Sequence, residues 1–196
     1  MFFDSLISPA FAPTFIAFLV IAAVLPRRTV PQALFAGALL AGAWFAGFIL
    51  AWIGKWLFAA AVLGWGRVYT DITSAMGIRT FGSSDLGDRN FFSATTAALE
   101  AKNGKLIGLS LFAAAVLAGF ALWRKEGAAP WRTAAMLAPL IIPIAWVEAA
   151  RDHSLVHPVF AARSFVLFAI IPLLAALILW RAQRARDEAD NSAGWG

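Results

Sequence analysis

The stretch RDHSLVHPVFAAR, residues 151–163, concentrates titratable and anion-binding side chains within an otherwise apolar chain. It contains both histidines of the protein, His153 and His157, and each can transfer a proton near neutral pH. Asp152 or Glu148 could orient a histidine ring N–H, and Arg163 could hold a phosphate or carboxylate with two hydrogen bonds. These residue types therefore allow acid–base chemistry, or binding of an anionic lipid head group or a lipid-linked phosphate.

The same segment also has a purely structural interpretation, which we favour over the others. Ligand or lipid binding ranks second, and metal or acid–base chemistry ranks third. A short connection between membrane spans needs polar groups to satisfy the helix ends, and Arg163 could simply pair with Asp152 or Glu148. Two histidines beside a proline do not make a zinc site, so no metal is expected, and no cofactor is indicated. The candidate polar site comprises Glu148, Asp152, His153, Ser154, His157 and Arg163.

A second, weaker set of charged residues lies in the long polar segment 54–104. A carboxylate there could bind a metal or act as a base, and an arginine could attract phosphate. The stretch SSDLGD lacks the alternating acids of a calcium loop, so we favour a solvated turn. The secondary candidates are Arg79, Asp85, Asp88 and Arg89.

The composition indicates that lipid surrounds most of the side chains of this protein. The chain is 61% hydrophobic and 14% charged, with a mean hydropathy of +0.76. A soluble domain is roughly 45–50% apolar and 25% charged, so too little polar surface is present here for a water-soluble globule. The absence of cysteine excludes disulfides and thiolate metal sites. The basic residues flank apolar runs, so membrane lipids and not nucleic acid are the expected partners.

Apolar runs long enough to cross a membrane recur along the chain, and none alternates like a barrel strand. They predict an all-α integral membrane protein with a single membrane domain over residues 1–186 and a mobile tail over 187–196. The second run could continue past Lys55 to about Leu63. The predicted spans are about 9–25, 33–53, 106–123, 133–149 and 164–180.

The distribution of Lys and Arg predicts the orientation of these spans. Segments on one side of the predicted membrane carry about twice the Lys and Arg density of those on the other, which favours N-out and C-in. The segment 54–104 then forms an outer loop on the membrane surface. Within it, Ser93 to Lys102 is predicted to form a short helix with Ser93 as its N-cap. The small residues of the second span predict close helix packing. We favour packing within one chain over packing between two copies.

The stretch PLIIPIAWVEAARDHSLVHPVFAAR resembles a segment near the C-terminal end of certain large, poorly characterised bacterial polytopic membrane proteins. Their pattern is Pro, a few apolar residues, Trp, then Asn-His-Ser-x-x-His-x-x-Phe-x-x-Arg. Asp152 stands where that pattern has Asn. The matching positions are Pro143, Trp146, His153, Ser154, His157, Phe160 and Arg163.

Some of those proteins resemble membrane-embedded glycosyltransferases that use lipid-linked sugars on the outer membrane face. The resemblance implies an outward-facing motif but transfers no mechanism. Such enzymes are much longer and usually carry an acidic catalytic residue in an early outer loop, for which Asp4 is a poor match. Resemblance to the C-terminal part alone favours a subunit or a degenerate relative over a complete enzyme.

We therefore expect a non-catalytic or accessory subunit of a bacterial cell-envelope complex, in the inner (cytoplasmic) membrane, with other membrane protein subunits as partners. An enzyme or carrier that acts on a lipid-linked saccharide or phospholipid is the first alternative. An accessory subunit of a respiratory or photosynthetic complex is the second.

Overall fold

The computed structural model describes residues 10–80, 92–101, 108, 130–156 and 158–193, and every regular element within these ranges is helical. Two 3₁₀ turns, Ala138–Leu140 and Ser164–Val166, each connect two consecutive α-helices. The α-helices are α1 (Phe11–Val24), α2 (Val30–Leu63), α3 (Trp65–Thr80), α4 (Ser93–Glu100), α5 (Pro130–Leu137), α6 (Ile141–Ala149), α7 (Arg151–Val156), α8 (Pro158–Arg163) and α9 (Leu167–Ala193).

Three helical stretches in the described residues are long and apolar enough to cross a membrane: Val30–Leu63, Trp131–Ala149 and Ala161–Ser192. The prediction of an all-α protein with membrane-type helices is thereby confirmed. The first predicted span corresponds to α1, which is apolar but only 14 residues long. The predicted span 106–123 lies outside the described residues except for Gly108.

The first two helices form a hairpin that is held by close backbone approach. A Cβ atom added to Gly37 in α2 would lie 2.8 and 2.9 Å from the Cγ1 and Cδ1 atoms of Ile21 in α1. It would also lie 3.2 Å from the carbonyl oxygen of Ala17. Because only glycine leaves room for these contacts, the sequence position of Gly37 determines where the two helices touch.

The described helices bury two apolar clusters. The first joins α1, α2, α5 and α9, and the second joins α4, α6 and α8 with the turn that follows α8. The first cluster contains Phe18, Ile21, Leu25, Ala33, Ala135, Met136, Leu167, Ile171 and Ala175. The second contains Ala94, Ala98, Val147, Ala161, Ala162 and Phe165.

An aromatic contact joins α2 to α6. The ring of Trp146 stacks on Phe45 at a centroid distance of 6.1 Å and meets Phe48 edge-on at 6.5 Å. Offset stacking and edge-to-face packing are the favourable geometries for aromatic pairs. The half-buried Trp146 therefore ties α2 to the helix that leads into the polar motif.

The second helix continues through Lys55 and ends at Leu63, which is the longer of the two extents compatible with the sequence. The first part of the predicted loop 54–104 is thus helical. Lys55 lies beside Trp56, with its Nζ atom 5.8 Å from the ring centroid. A lysine next to tryptophan is typical of the membrane–water interface.

The junction between α2 and α3 depends on Gly64, whose φ of +86° lies in the region that L-residues rarely adopt. We expect Gly64→Ala to lower the free energy of unfolding by about 1–2 kcal/mol. Gly66→Ala is the matched control, because this nearby glycine lies in α3 and an added Cβ meets nothing within 4 Å. Thermal unfolding in mild detergent checks both variants, and equal midpoints would contradict the prediction.

The last helix contains Pro172 and extends well beyond the apolar part of its sequence. It continues through Arg181 to Ala193, so most of the tail that begins at residue 187 is helical. Arg184 pairs with Glu188 at 3.6 Å on this exposed section. Such an exposed pair adds little to stability.

Candidate functional site

Segments that are far apart in sequence meet at one end of the helix bundle. The helix α7, which carries the first part of the motif, contacts α3, α4, α6 and α8. The helix α4 in turn contacts α6, α7 and α8. The described parts of the segment 54–104 therefore lie against the motif, and we call this group of α3, α4, α7 and α8 the polar end.

Glu148 is the centre of the polar contacts in the described part of this end. Its Oε1 atom accepts a hydrogen bond of 2.9 Å from the backbone N–H of Thr95 and one of 2.7 Å from the Thr95 hydroxyl. Thr95 is the third residue of α4, where backbone N–H groups have no partner within the helix. The carboxylate of α6 therefore caps α4, and the positive end of the helix dipole stabilises its charge.

The second oxygen of the same carboxylate binds an arginine. Arg151 donates from Nε to the Oε2 atom of Glu148 at 3.3 Å. The Glu148 side chain is 8% exposed and the Arg151 side chain 27% exposed. Since both carboxylate oxygens accept hydrogen bonds, Glu148 joins α4, α6 and α7 through a single side chain.

Sequence reasoning missed both partners of Glu148. Arg151 lies three residues after Glu148, and this spacing on a helix face is a signal that could have indicated the pair. Thr95 gave no comparable signal, because it lies 53 residues away in the chain. The sequence instead suggested Arg163 as a possible partner of Asp152 or Glu148.

Two other candidates of the motif are positioned by the described helices. Ser154 is buried in α7, and its backbone N–H donates to the carbonyl of Ala150 at 2.9 Å. Arg163 ends α8 with an exposed side chain. A buried serine and an exposed guanidinium suit packing and anion binding, respectively.

The remaining predicted residues lie outside the described side chains. Asp152 and His153 belong to the backbone of α7, and Arg79 to that of α3, but their side chains are not described. The predictions on His157, Asp85, Asp88 and Arg89 fall outside the described residues altogether.

The start of α4 differs from the predicted cap by one residue. The helix begins at Ser93, and Phe92 occupies the cap position with a φ of 72°. The Ser93 hydroxyl is buried and has no hydrogen-bond partner within the described part of the chain. The N-terminal cap comes from Glu148 on another helix instead of from a local serine.

Among the side chains that the structure describes, no group of three or more His, Asp or Glu residues comes together as metal ligands. No protein-family model matches the chain, and neither does any curated protein or solved structure compared with it. The geometry of the candidate site links three helices through one carboxylate, that of Glu148.

Proposed function

We propose that the protein is a non-catalytic or accessory subunit of a bacterial cell-envelope membrane complex, located in the inner (cytoplasmic) membrane. The observation that carries this proposal is that the Glu148 carboxylate is fully used in hydrogen bonds between helices. Both of its oxygens accept hydrogen bonds, from Thr95 and from Arg151. A carboxylate fixed in this way stabilises the packing of helices and is poorly placed to accept a proton from a substrate.

The proposal includes five membrane crossings in an N-out, C-in orientation, so that the polar end faces outward. The Lys and Arg distribution supports this orientation. The interfacial pair of Lys55 and Trp56 supports a membrane boundary near residue 55 of α2. The polar end then offers partner subunits a surface outside the hydrocarbon.

Exposed aromatic residues on α3 support a protein-binding role for this surface. Trp65 and Tyr69 are both well exposed, and α3 contacts α7 directly. Aromatic residues are enriched among those that contribute most to binding at protein interfaces. The surface of α3 is therefore the part of the polar end where we expect a partner subunit to bind.

The alternative function is an enzyme or carrier that acts on a lipid-linked saccharide or phospholipid. The exposed side chain of Arg163 favours it, since a guanidinium binds phosphate with two hydrogen bonds. The resemblance of the motif to outward-facing segments of glycosyltransferase-like proteins agrees with this alternative. This alternative requires that the chain bind a lipid, whereas the subunit proposal requires that it bind a protein.

Purification of the full chain from native membranes in mild detergent tests the two functions together. We expect a partner protein at a fixed ratio, and Tyr69→Ala should lower its retention about tenfold by removing an interface anchor. Trp180→Ala is the matched control, because Trp180 is an exposed aromatic residue on α9, several helical turns beyond Arg163, where the polar end finishes. Mass spectrometry of proteins and lipids gives the measurement. A chain that retains only a phospholipid or lipid-linked saccharide would overturn the subunit proposal and support the alternative.

A further inference from the structure

Four arginines of the described residues lie toward the end of the bundle opposite the polar end. Arg27 and Arg28 follow α1, and both are exposed. Arg132 lies in the first turn of α5 and is half-buried, and Arg181 lies in α9 and is exposed. None of these four side chains makes an ion pair or a hydrogen bond within the described part of the chain. We call the four arginines the basic end.

Helix contacts place the first three of these arginines at one level of the bundle. The ring of Phe45 in α2 stacks on that of Trp146 in α6, and α2 also contacts α5. The helix α2 therefore runs parallel to α5 and α6. At 1.5 Å per residue, the start of α2 lies about 22 Å from Phe45, and Arg132 lies about 21 Å from Trp146. The two arginines that precede α2 therefore lie near the level of Arg132.

The last helix brings Arg181 toward the same level. It contacts α1 and α5, and its residues Ile178 and Leu179 pack against the first apolar cluster, which includes Leu25 and Met136. Arg181 comes two residues after Leu179, just as Arg27 comes two residues after Leu25. Three separate segments of the chain thus contribute arginines to the basic end.

The basic end lies where the apolar parts of the helices stop. The apolar stretch Trp131–Ala149 begins beside Arg132, and the apolar run of α9 ends at Trp180. Trp131 and Trp180 are both well exposed. Exposed tryptophans next to arginines at the ends of apolar helices are typical of the membrane–water interface. The arginines therefore reach the layer of lipid head groups, where phosphates are the neighbouring anions.

We propose that the basic end binds the phosphate of an anionic phospholipid, with Arg132 at its centre. The helix α5, which carries Arg132, contacts α1, α2 and α9. A half-buried guanidinium without a protein partner needs an acceptor, and a phosphate accepts two parallel hydrogen bonds from it. The other arginines add positive charge, which favours a head group with net negative charge over a zwitterionic one. Along α9 the first acidic residue after Arg181 is Asp187, more than one helical turn away.

This site is independent of the proposed function and of its alternative. The alternative function uses Arg163 at the polar end, whereas the basic end lies at the other end of the bundle. Lipid retention that depends on Arg132 concerns the basic end, and retention that depends on Arg163 concerns the alternative function. A subunit that binds a partner protein at α3 can hold a phospholipid at the basic end as well, so either proposal can fail while the other holds.

Quenching of tryptophan fluorescence by brominated lipid tests the site, because Trp131 and Trp180 lie beside it. The full chain is reconstituted in phosphatidylcholine vesicles that contain an increasing fraction of brominated phosphatidylglycerol. The quenching gives the binding constant of the anionic lipid relative to phosphatidylcholine. Arg132→Gln should lower this constant about fivefold, as expected for the loss of one charge near the membrane surface. Arg28→Gln should lower it several-fold too, and this residue is exposed, so its replacement leaves folding intact.

The matched control is Arg184→Gln in α9. Arg184 is also an exposed arginine, but it pairs with Glu188, and its guanidinium lies 5.5 Å from the centre of the Trp180 ring. Its loss should change the relative binding constant by less than about twofold. A constant near one in the unmodified chain, or equal losses in Arg132→Gln and Arg184→Gln, would overturn the proposal. So would displacement of the lipid by millimolar inorganic phosphate at matched ionic strength, which would assign the site to a soluble phosphate.

Discussion

Glu148→Ala is expected to lower the free energy of unfolding by about 2–3 kcal/mol. The substitution removes the acceptor of the Thr95 backbone N–H, the Thr95 hydroxyl and the Arg151 guanidinium together. Because Glu148 is almost fully buried, water replaces these hydrogen bonds poorly. Unfolding in mild detergent, followed by tryptophan fluorescence, gives the measurement.

The matched control is Glu188→Ala on α9. This residue also pairs with an arginine, Arg184, but the two side chains are 72% and 66% exposed. Water screens such a pair, so the change in unfolding free energy should stay within about 0.5 kcal/mol. Comparable losses in Glu148→Ala and Glu188→Ala would contradict the role of Glu148 as a link between helices.

A double-mutant cycle separates the Thr95 hydroxyl from the rest of the network. Thr95→Val keeps the backbone N–H donor but removes the hydroxyl, whose bond to Glu148 is the shortest of the three. Its effect and that of Glu148→Ala should be non-additive by about 0.5–1 kcal/mol, since the two side chains share one contact. Additive losses would show that Thr95 and Glu148 stabilise the protein independently.

The helices could be predicted from sequence because their signals are local. Long apolar runs, with Pro and charged residues at their ends, indicated α2, the Trp131–Ala149 stretch and the Ala161–Ser192 stretch. The apolar residues after Lys55 allowed α2 to continue to Leu63, and a helix forms because each added residue gains a backbone hydrogen bond. Local hydropathy therefore predicted the membrane-type architecture.

The centre of the candidate site could not be predicted because it depends on tertiary contacts. Serine is a favoured N-cap, so the sequence predicts that the Ser93 side chain caps the start of α4. The carboxylate of Glu148 supplies the cap instead, and it approaches from a helix more than fifty residues away. Hydrophobic periodicity carries no information about which buried carboxylate meets which helix end.

The role of Gly37 was only partly visible in the sequence. The abundance of small residues in α2 predicted close packing but did not distinguish the glycines from one another. In the structure Gly37 touches α1, whereas Gly42 and Gly47 face open space. The glycines of α2 thus lie on different faces of the helix. Only the position of α1 shows which glycine makes the close helix contact.

Gly37→Leu is expected to destabilise the protein by about 3 kcal/mol, near the upper end for overpacking of a filled site. The Cβ atom alone would clash with Ile21, and the carbonyl of Ala17 belongs to backbone that cannot move without displacing α1. Gly42→Leu is the matched control in the same helix: it meets no neighbour within 4 Å and gains about 1 kcal/mol of helix propensity. Folded yield and unfolding midpoint of the two variants give the measurement. If Gly42→Leu were the less stable variant, α1 and α2 would not pack through Gly37, and the hairpin that begins the bundle would be built differently.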